Sequence, residues 1–124
     1  MANRPYTPKA SLPALTALRA LGRLPQGHQN KTEAAYEDRV LKPALNAGEI
    51  AWYRFEGVKL RLADNTFYTP DYTVMRRNGQ LEVHEVKGFW TDDARVKIKV
   101  AAAQYPFQFV AVQRVKGEWK EERF

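Results

Sequence analysis

The stretch that decides the reading is residues 66–90, TFYTPDYTVMRRNGQLEVHEVKGFW. Asn78-Gly79 is a strong hairpin signal between two runs of strand-forming residues. It predicts a strand over Thr66–Arg77 and another over Gln80–Lys87. Glu85 and Lys87 are two apart and so share a strand face. A strict two-residue loop would pair Arg77 with Gln80 and Tyr72 with Glu85, which puts Asp71 on the other face. A three-residue loop, Arg77-Asn78-Gly79, with Gly79 in a bulge at positive φ, pairs Arg76 with Gln80 and Asp71 with Glu85. One face then carries Asp71, Thr73, Met75, Leu81, Val83, Glu85 and Lys87, and the charged groups meet at one end of it.

Outward from this hairpin the chain alternates between helical and extended patterns. Upstream, Asn30-Lys31-Thr32-Glu33 reads as a capping box opening a helix that runs to about Ala47, with Gly48 ending it. Tyr36, Val40, Leu41, Ala44 and Leu45 form its apolar stripe, and Pro43 should kink or interrupt it. Ile50–Leu62 alternates loosely and predicts a strand, closed by a turn at Ala63-Asp64-Asn65. Downstream, Thr91 caps a helix with Asp92 and Asp93 in its positive first turn. Val96, Val100 and Ala103 supply the expected apolar face, and Tyr105-Pro106 ends the helix. Phe107–Val112 predicts a further apolar strand, and Lys116-Gly117 a closing hairpin. The order helix, three-strand meander, helix, strand predicts an α/β fold with a mixed central sheet flanked by helices. At the start, residues 1–29 read as a basic arm, with a short helix over 11–24 capped by Ser11.

Composition narrows the function classes. The chain has 124 residues, 44% of them hydrophobic, enough for a single packed domain, read as residues 30–124 behind the arm. It has no cysteine, which excludes disulfides, thiolate catalysis and Cys-ligated zinc. No apolar run reaches membrane-spanning length and no signal-type apolar segment opens the chain; both fit a cytoplasmic protein. The net charge is +6, compatible with a polyanionic partner. Arg4, Lys9, Arg19 and Arg23 fall in residues 1–29 with no acidic residue among them, so the excess is concentrated in the arm. His28 and His84 lack metal-site spacing, and no Gly-rich phosphate loop is present.

Asp71, Glu85 and Lys87 are the residue types that metal-assisted phosphodiester hydrolysis needs. Carboxylate oxygens hold a hard divalent cation. The cation activates water and offsets phosphate charge, and an adjacent ammonium adds positive charge. Taken alone, Asp71 also fits turn chemistry after Pro70, and Glu85 with Lys87 a solvated strand pair.

The wider pattern, Thr69-Pro70-Asp71-Tyr72, Glu85-Val86-Lys87-Gly88-Phe89-Trp90, then Asp92-Asp93 and Arg95, resembles the PD-(D/E)xK nuclease superfamily. Within it the pattern is most similar to the phage endonuclease I type of Holliday-junction resolvase, over about residues 30–112. The resemblance implies a restriction-endonuclease-like core. It also implies a magnesium-dependent endonuclease (with Mn2+ able to substitute) that cuts branched DNA as a homodimer with two sites. Asp71, Glu85 and the backbone carbonyl of Val86 would hold the metal, Lys87 would support the attacking water, and a carboxylate from the first helix would complete the site. Glu33 is the preferred candidate for that carboxylate and Glu37 the alternative; Glu33 also reads as only a capping-box residue. Expected DNA contacts are Lys31, Lys59, Arg61, Arg95, Lys97 and Lys99, each of which also reads as ordinary solvated surface. Trp90 is expected to anchor its loop in the core rather than touch DNA, and His84, facing away from Glu85, to be a packing histidine. Two alternatives stay open: a nicking or repair endonuclease on duplex DNA, and a non-catalytic DNA-binding module with a nuclease fold.

Overall fold

A computed structural model of the chain describes residues 27–124; the expected arm and short helix over residues 1–24 lie outside the described residues. Asn30 opens α1 (Lys31–Tyr36) as expected: its side chain accepts from the Glu33 amide at 2.8 Å, and Glu33 returns to the Asn30 amide at 3.2 Å. The anticipated disturbance at Pro43 takes the form of a π-helical turn, Glu37–Leu41, leading into α2 (Lys42–Asn46). Proline has no N–H for the helical ladder and its ring crowds the carbonyl four residues back; a widened turn absorbs both. Gly48, at φ +75°, ends the element.

Seven strands follow: β1 (Ile50–Phe55), β2 (Leu60–Ala63), β3 (Thr66–Tyr68), β4 (Tyr72–Arg76), β5 (Leu81–Lys87), β6 (Gln108–Val115) and β7 (Glu118–Arg123), with α3 (Asp92–Gln104) between β5 and β6. The main sheet has the order β1-β4-β5-β6-β7, and β2-β3 form a separate two-stranded ribbon. Only β5-β6 is parallel; the other pairings are antiparallel. The fold is thus mixed α/β with a mixed central sheet, and β5-α3-β6 is its one crossover unit. Among the described residues no helix is long and apolar enough to cross a membrane.

The expected three-strand meander needs correction. The run Ile50–Leu62 is two strands in two different sheets, broken at Glu56 (φ 47°) and Gly57. A Cβ at Gly57 would lie 3.3 Å from the Thr73 hydroxyl, so the chain leaves β4 here at close quarters. Thr66–Arg77 is likewise divided, at Thr69–Asp71, where Pro70 biases its neighbour away from regular pairing. The ribbon is therefore an insertion between β1 and β4, which remain neighbours.

Two cores cover the two sheet faces. Tyr72, Val74, Val86, Val110 and Val112 pack against Tyr36 and Leu41 of the first helical segment. On the other face Val83, Phe109 and Ala111 pack with Ile98 and Ala101 of α3 and with Leu60 and Tyr68 of the ribbon. The apolar face expected for α3 is corrected accordingly. Ile98 and Ala101 are buried, whereas Val96 is 57% and Val100 39% exposed, and Ala103 is exposed too. The helix must present Ile98 to Phe109 and Ala111, and a residue two positions away then points outward.

Candidate functional site

The register between β4 and β5 places the key residues. Tyr72 pairs with His84 and Met75 with Leu81, so Asp71 comes opposite Glu85. The turn is the three-residue loop: the Arg76 amide donates to Gln80 O at 2.8 Å, and Gly79 has φ +87°. Asn78 caps it by accepting from the Gln80 amide at 2.9 Å.

Asp71 and Glu85 are tied together by bonds from backbone amides to carboxylates. The Asp71 carboxylate accepts from the Val86 amide at 2.7 Å, and the Asp71 amide donates to Glu85 Oε2 at 3.3 Å. Lys87 Nζ lies 3.3 Å from Glu85 Oε1. Tyr68, buried on the ribbon, donates its hydroxyl to Glu85 Oε2 at 2.8 Å. Sequence reasoning missed Tyr68. Its signal was faint: it stands three residues before Asp71, in a segment that read as one continuous strand. Only the break at Pro70 lets the ribbon fold back over Glu85.

The electrostatics describe a crowded anionic pocket. Burial, then the Glu85 charge, pushes the Asp71 carboxyl up to about 8, against the lowering effect of the Val86 amide. Burial raises Glu33 too, and Glu56 and Glu85 add to this, while the Asn30 amide opposes it. For Lys87, burial alone would favour the neutral amine, but the Glu85 and Asp71 charges outweigh it and its pKa is raised. Burial and the Glu85 charge hold the Tyr68 phenol protonated.

The two helix carboxylates separate clearly. Glu33 is buried, at 6% exposure, and its charge acts on both Asp71 and Lys87. Tyr72 fixes the start of α1 by donating to the Glu33 carbonyl at 2.7 Å. Glu37 turns elsewhere and accepts from Tyr53 at 2.6 Å and from Gln29 at 2.8 Å. Glu33 also keeps its capping-box role. Glu56, not singled out from sequence, is a further acidic neighbour of Glu33.

His84 lies on the opposite face from Glu85, bridging Tyr36 (2.7 Å) and Glu82 (2.9 Å). With Glu82 ionised, the His84 Nε2 bears the hydrogen of that contact and donates it to the carboxylate. Trp90 packs against the core beside α3. The expected DNA-contact residues are dispersed. Arg95 is held by Glu122 at 2.5 and 2.7 Å, and Arg61 pairs with Asp64. Lys59 sits 4.5 Å over the Phe67 ring, and Lys31, Lys97 and Lys99 are exposed.

Among the described residues no three His, Asp or Glu side chains close into a ready-made cage. Asp71 and Glu85 nevertheless form an all-oxygen donor pair of the kind a hard divalent cation takes. Burial and then the Glu85 charge push the Asp71 carboxyl up, and a cation between the two carboxylates would favour its ionised form. The residues present fit such an ion.

Comparison with protein-family models matches residues 28–120 to a family described as "Protein of unknown function (DUF1064)". No curated protein and no solved structure matches the chain.

Proposed function

We propose that this chain, which belongs to the DUF1064 family, is a metal-dependent DNA endonuclease of the PD-(D/E)xK type. The observation that carries the proposal is the 71-to-85 register. It gathers two carboxylates, the amides of Asp71 and Val86, and the Lys87 ammonium at the end of one hairpin. The order helix, β1, β4, β5, helix, β6 supports a restriction-endonuclease-like core.

In this reading Asp71 and Glu85 would hold Mg2+ or Mn2+, with the Val86 carbonyl and the helix carboxylate Glu33 as the further groups available to it. When bound, the ion supplies Lewis-acid polarisation of the phosphate and a more acidic water. The protein's own groups do the rest. Tyr68 and the Asp71 amide orient the Glu85 carboxylate, and the Val86 amide orients that of Asp71. Lys87, kept protonated by its acidic neighbours, holds positive charge where a phosphate oxygen or the incoming water sits. The substrate is branched DNA recognised by backbone contacts, and the working unit is a homodimer, since resolving a four-way junction takes two cuts.

The test is incubation of four-way junction and linear duplex DNA with Mg2+ or with chelator. The expected result is junction-selective cleavage only with the metal, abolished by Glu85→Ala or Lys87→Ala while DNA binding persists. Binding without cleavage, across substrates and metals, would replace this reading with that of a DNA-binding module.

A further inference from the structure

Lys87 also borders a depression at the end of β5 that Asp71 and Glu85 do not line. It has a volume of about 300 Å³ and is lined by Lys87, Gly88, Phe89, Thr91 and Ala94. Phe89 is 75% exposed, the highest value among the exposed large hydrophobic residues. Its position is not that of a loose loop. Trp90, the next residue, packs into the core, and Thr91 caps α3 by accepting from the Ala94 amide at 3.3 Å. The ring is thus presented to solvent immediately before two anchored residues. A Cβ added to Gly88 would meet nothing within 4 Å, so the space between Lys87 and Phe89 is open.

We infer that Phe89 and this depression form a stacking site for one unpaired base, next to the phosphate held at Lys87. The inference rests on the nuclease reading, because that reading puts a nucleic-acid strand at Lys87. The lining sets one cation, Lys87, beside an exposed phenyl ring, so a phosphate on Lys87 leaves the apolar part of the depression to the base joined to it. The exposed phenyl face matches the π-face of a nucleobase, whatever its identity. In continuous duplex both faces of every base are already stacked. The site therefore selects DNA with an unstacked nucleotide adjoining the cut, such as a fork, a flap or the crossover of a junction.

The test uses the full chain in chelator, where no cleavage occurs, and forked DNA carrying 2-aminopurine at the unpaired nucleotide beside the branch. Wild-type protein and Phe89→Tyr should quench the fluorophore on binding. Phe89→Ala should not, and should bind the fork about 5- to 150-fold more weakly, the range for losing one base–aromatic stack, while its duplex binding changes less than about twofold. Phe89 is exposed enough that its removal leaves the core intact. Equal quenching by Phe89→Ala, or equal weakening on fork and duplex, overturns the inference even if the wild type cuts DNA with Mg2+. Phe89-dependent quenching without any Mg2+-dependent cleavage sinks the nuclease reading and leaves the base site standing.

Discussion

Replacing Asp71 with Asn removes a carboxyl that the fold holds against its own preference for ionisation, and the consequence for stability can be worked out. The folded-state pKa of Asp71 is pushed from 3.8 to about 8. Between those values the folded chain retains a proton that the unfolded chain has lost. The stability tied to that proton is full below the lower value and is lost as pH rises through the upper one. One proton corresponds to about 1.4 kcal/mol per pH unit. Between pH 6 and pH 8 the metal-free protein should lose about 2 kcal/mol more unfolding free energy than Asp71→Asn, which cannot titrate. Urea unfolding in chelator at pH 6, 7 and 8, for both proteins, reads this directly. Saturating Mg2+ should flatten the wild-type profile, because the ion replaces the proton. If the two proteins lose stability in parallel across the window, the pocket is not crowded as described.

Tyr68→Phe removes the hydroxyl that steadies Glu85 and should raise the Mg2+ concentration for half-maximal cleavage about tenfold, the low end for groups that orient a metal ligand; an unchanged metal dependence would deny Tyr68 that role. Glu82 accepts from Arg76 and His84 at 2.8 and 2.9 Å, and these bonds outweigh its burial and hold its pKa down to about 2. Its stabilisation is therefore present above pH 4.5 and fades as pH falls towards 2. Glu82→Ala should cost about 2–4 kcal/mol in urea unfolding at neutral pH, because the buried His84 and Tyr36 lose their partner network, and a cost under 1 kcal/mol would contradict this. Gly79→Ala forces a side chain to φ +87°; it should destabilise by about 1–2 kcal/mol and slow cleavage by disturbing the 71-to-85 register, with amide chemical shifts at Asp71 and Glu85 moving together.

How much of this was legible in the sequence depended on whether local chemistry admitted one solution. The hairpin register was readable because Asn78-Gly79 allows few loops and only one of them puts Asp71 opposite Glu85. The capping box at Asn30 and Glu33, the Thr91 cap and the turn at Lys116-Gly117 were readable for the same reason. The strand breaks were not. Glu56 and Gly57 carry no proline and no turn dipeptide, and their conformation is set by contact with β4. The phase of α3 was misread because Val96, Val100 and Ala103 are about as apolar as Ile98 and Ala101, so only packing against the sheet decides between the two faces. Tyr68 could not be linked to Glu85 until the ribbon was seen as separate from β4. Which of Glu33 and Glu37 lies near Asp71 was not legible either, because it depends on the side-chain partners of Glu37, Tyr53 and Gln29, both on other segments.

The central claim is that Asp71 and Glu85 share one hard divalent ion, and Mn2+ titration followed by electron paramagnetic resonance tests it most directly, needing neither substrate nor turnover. The wild-type chain should take up one strongly bound Mn2+, displaced by excess Mg2+, and both Asp71→Ala and Glu85→Ala should lose it while remaining folded. Equal Mn2+ uptake by the wild type and both variants would contradict the claim.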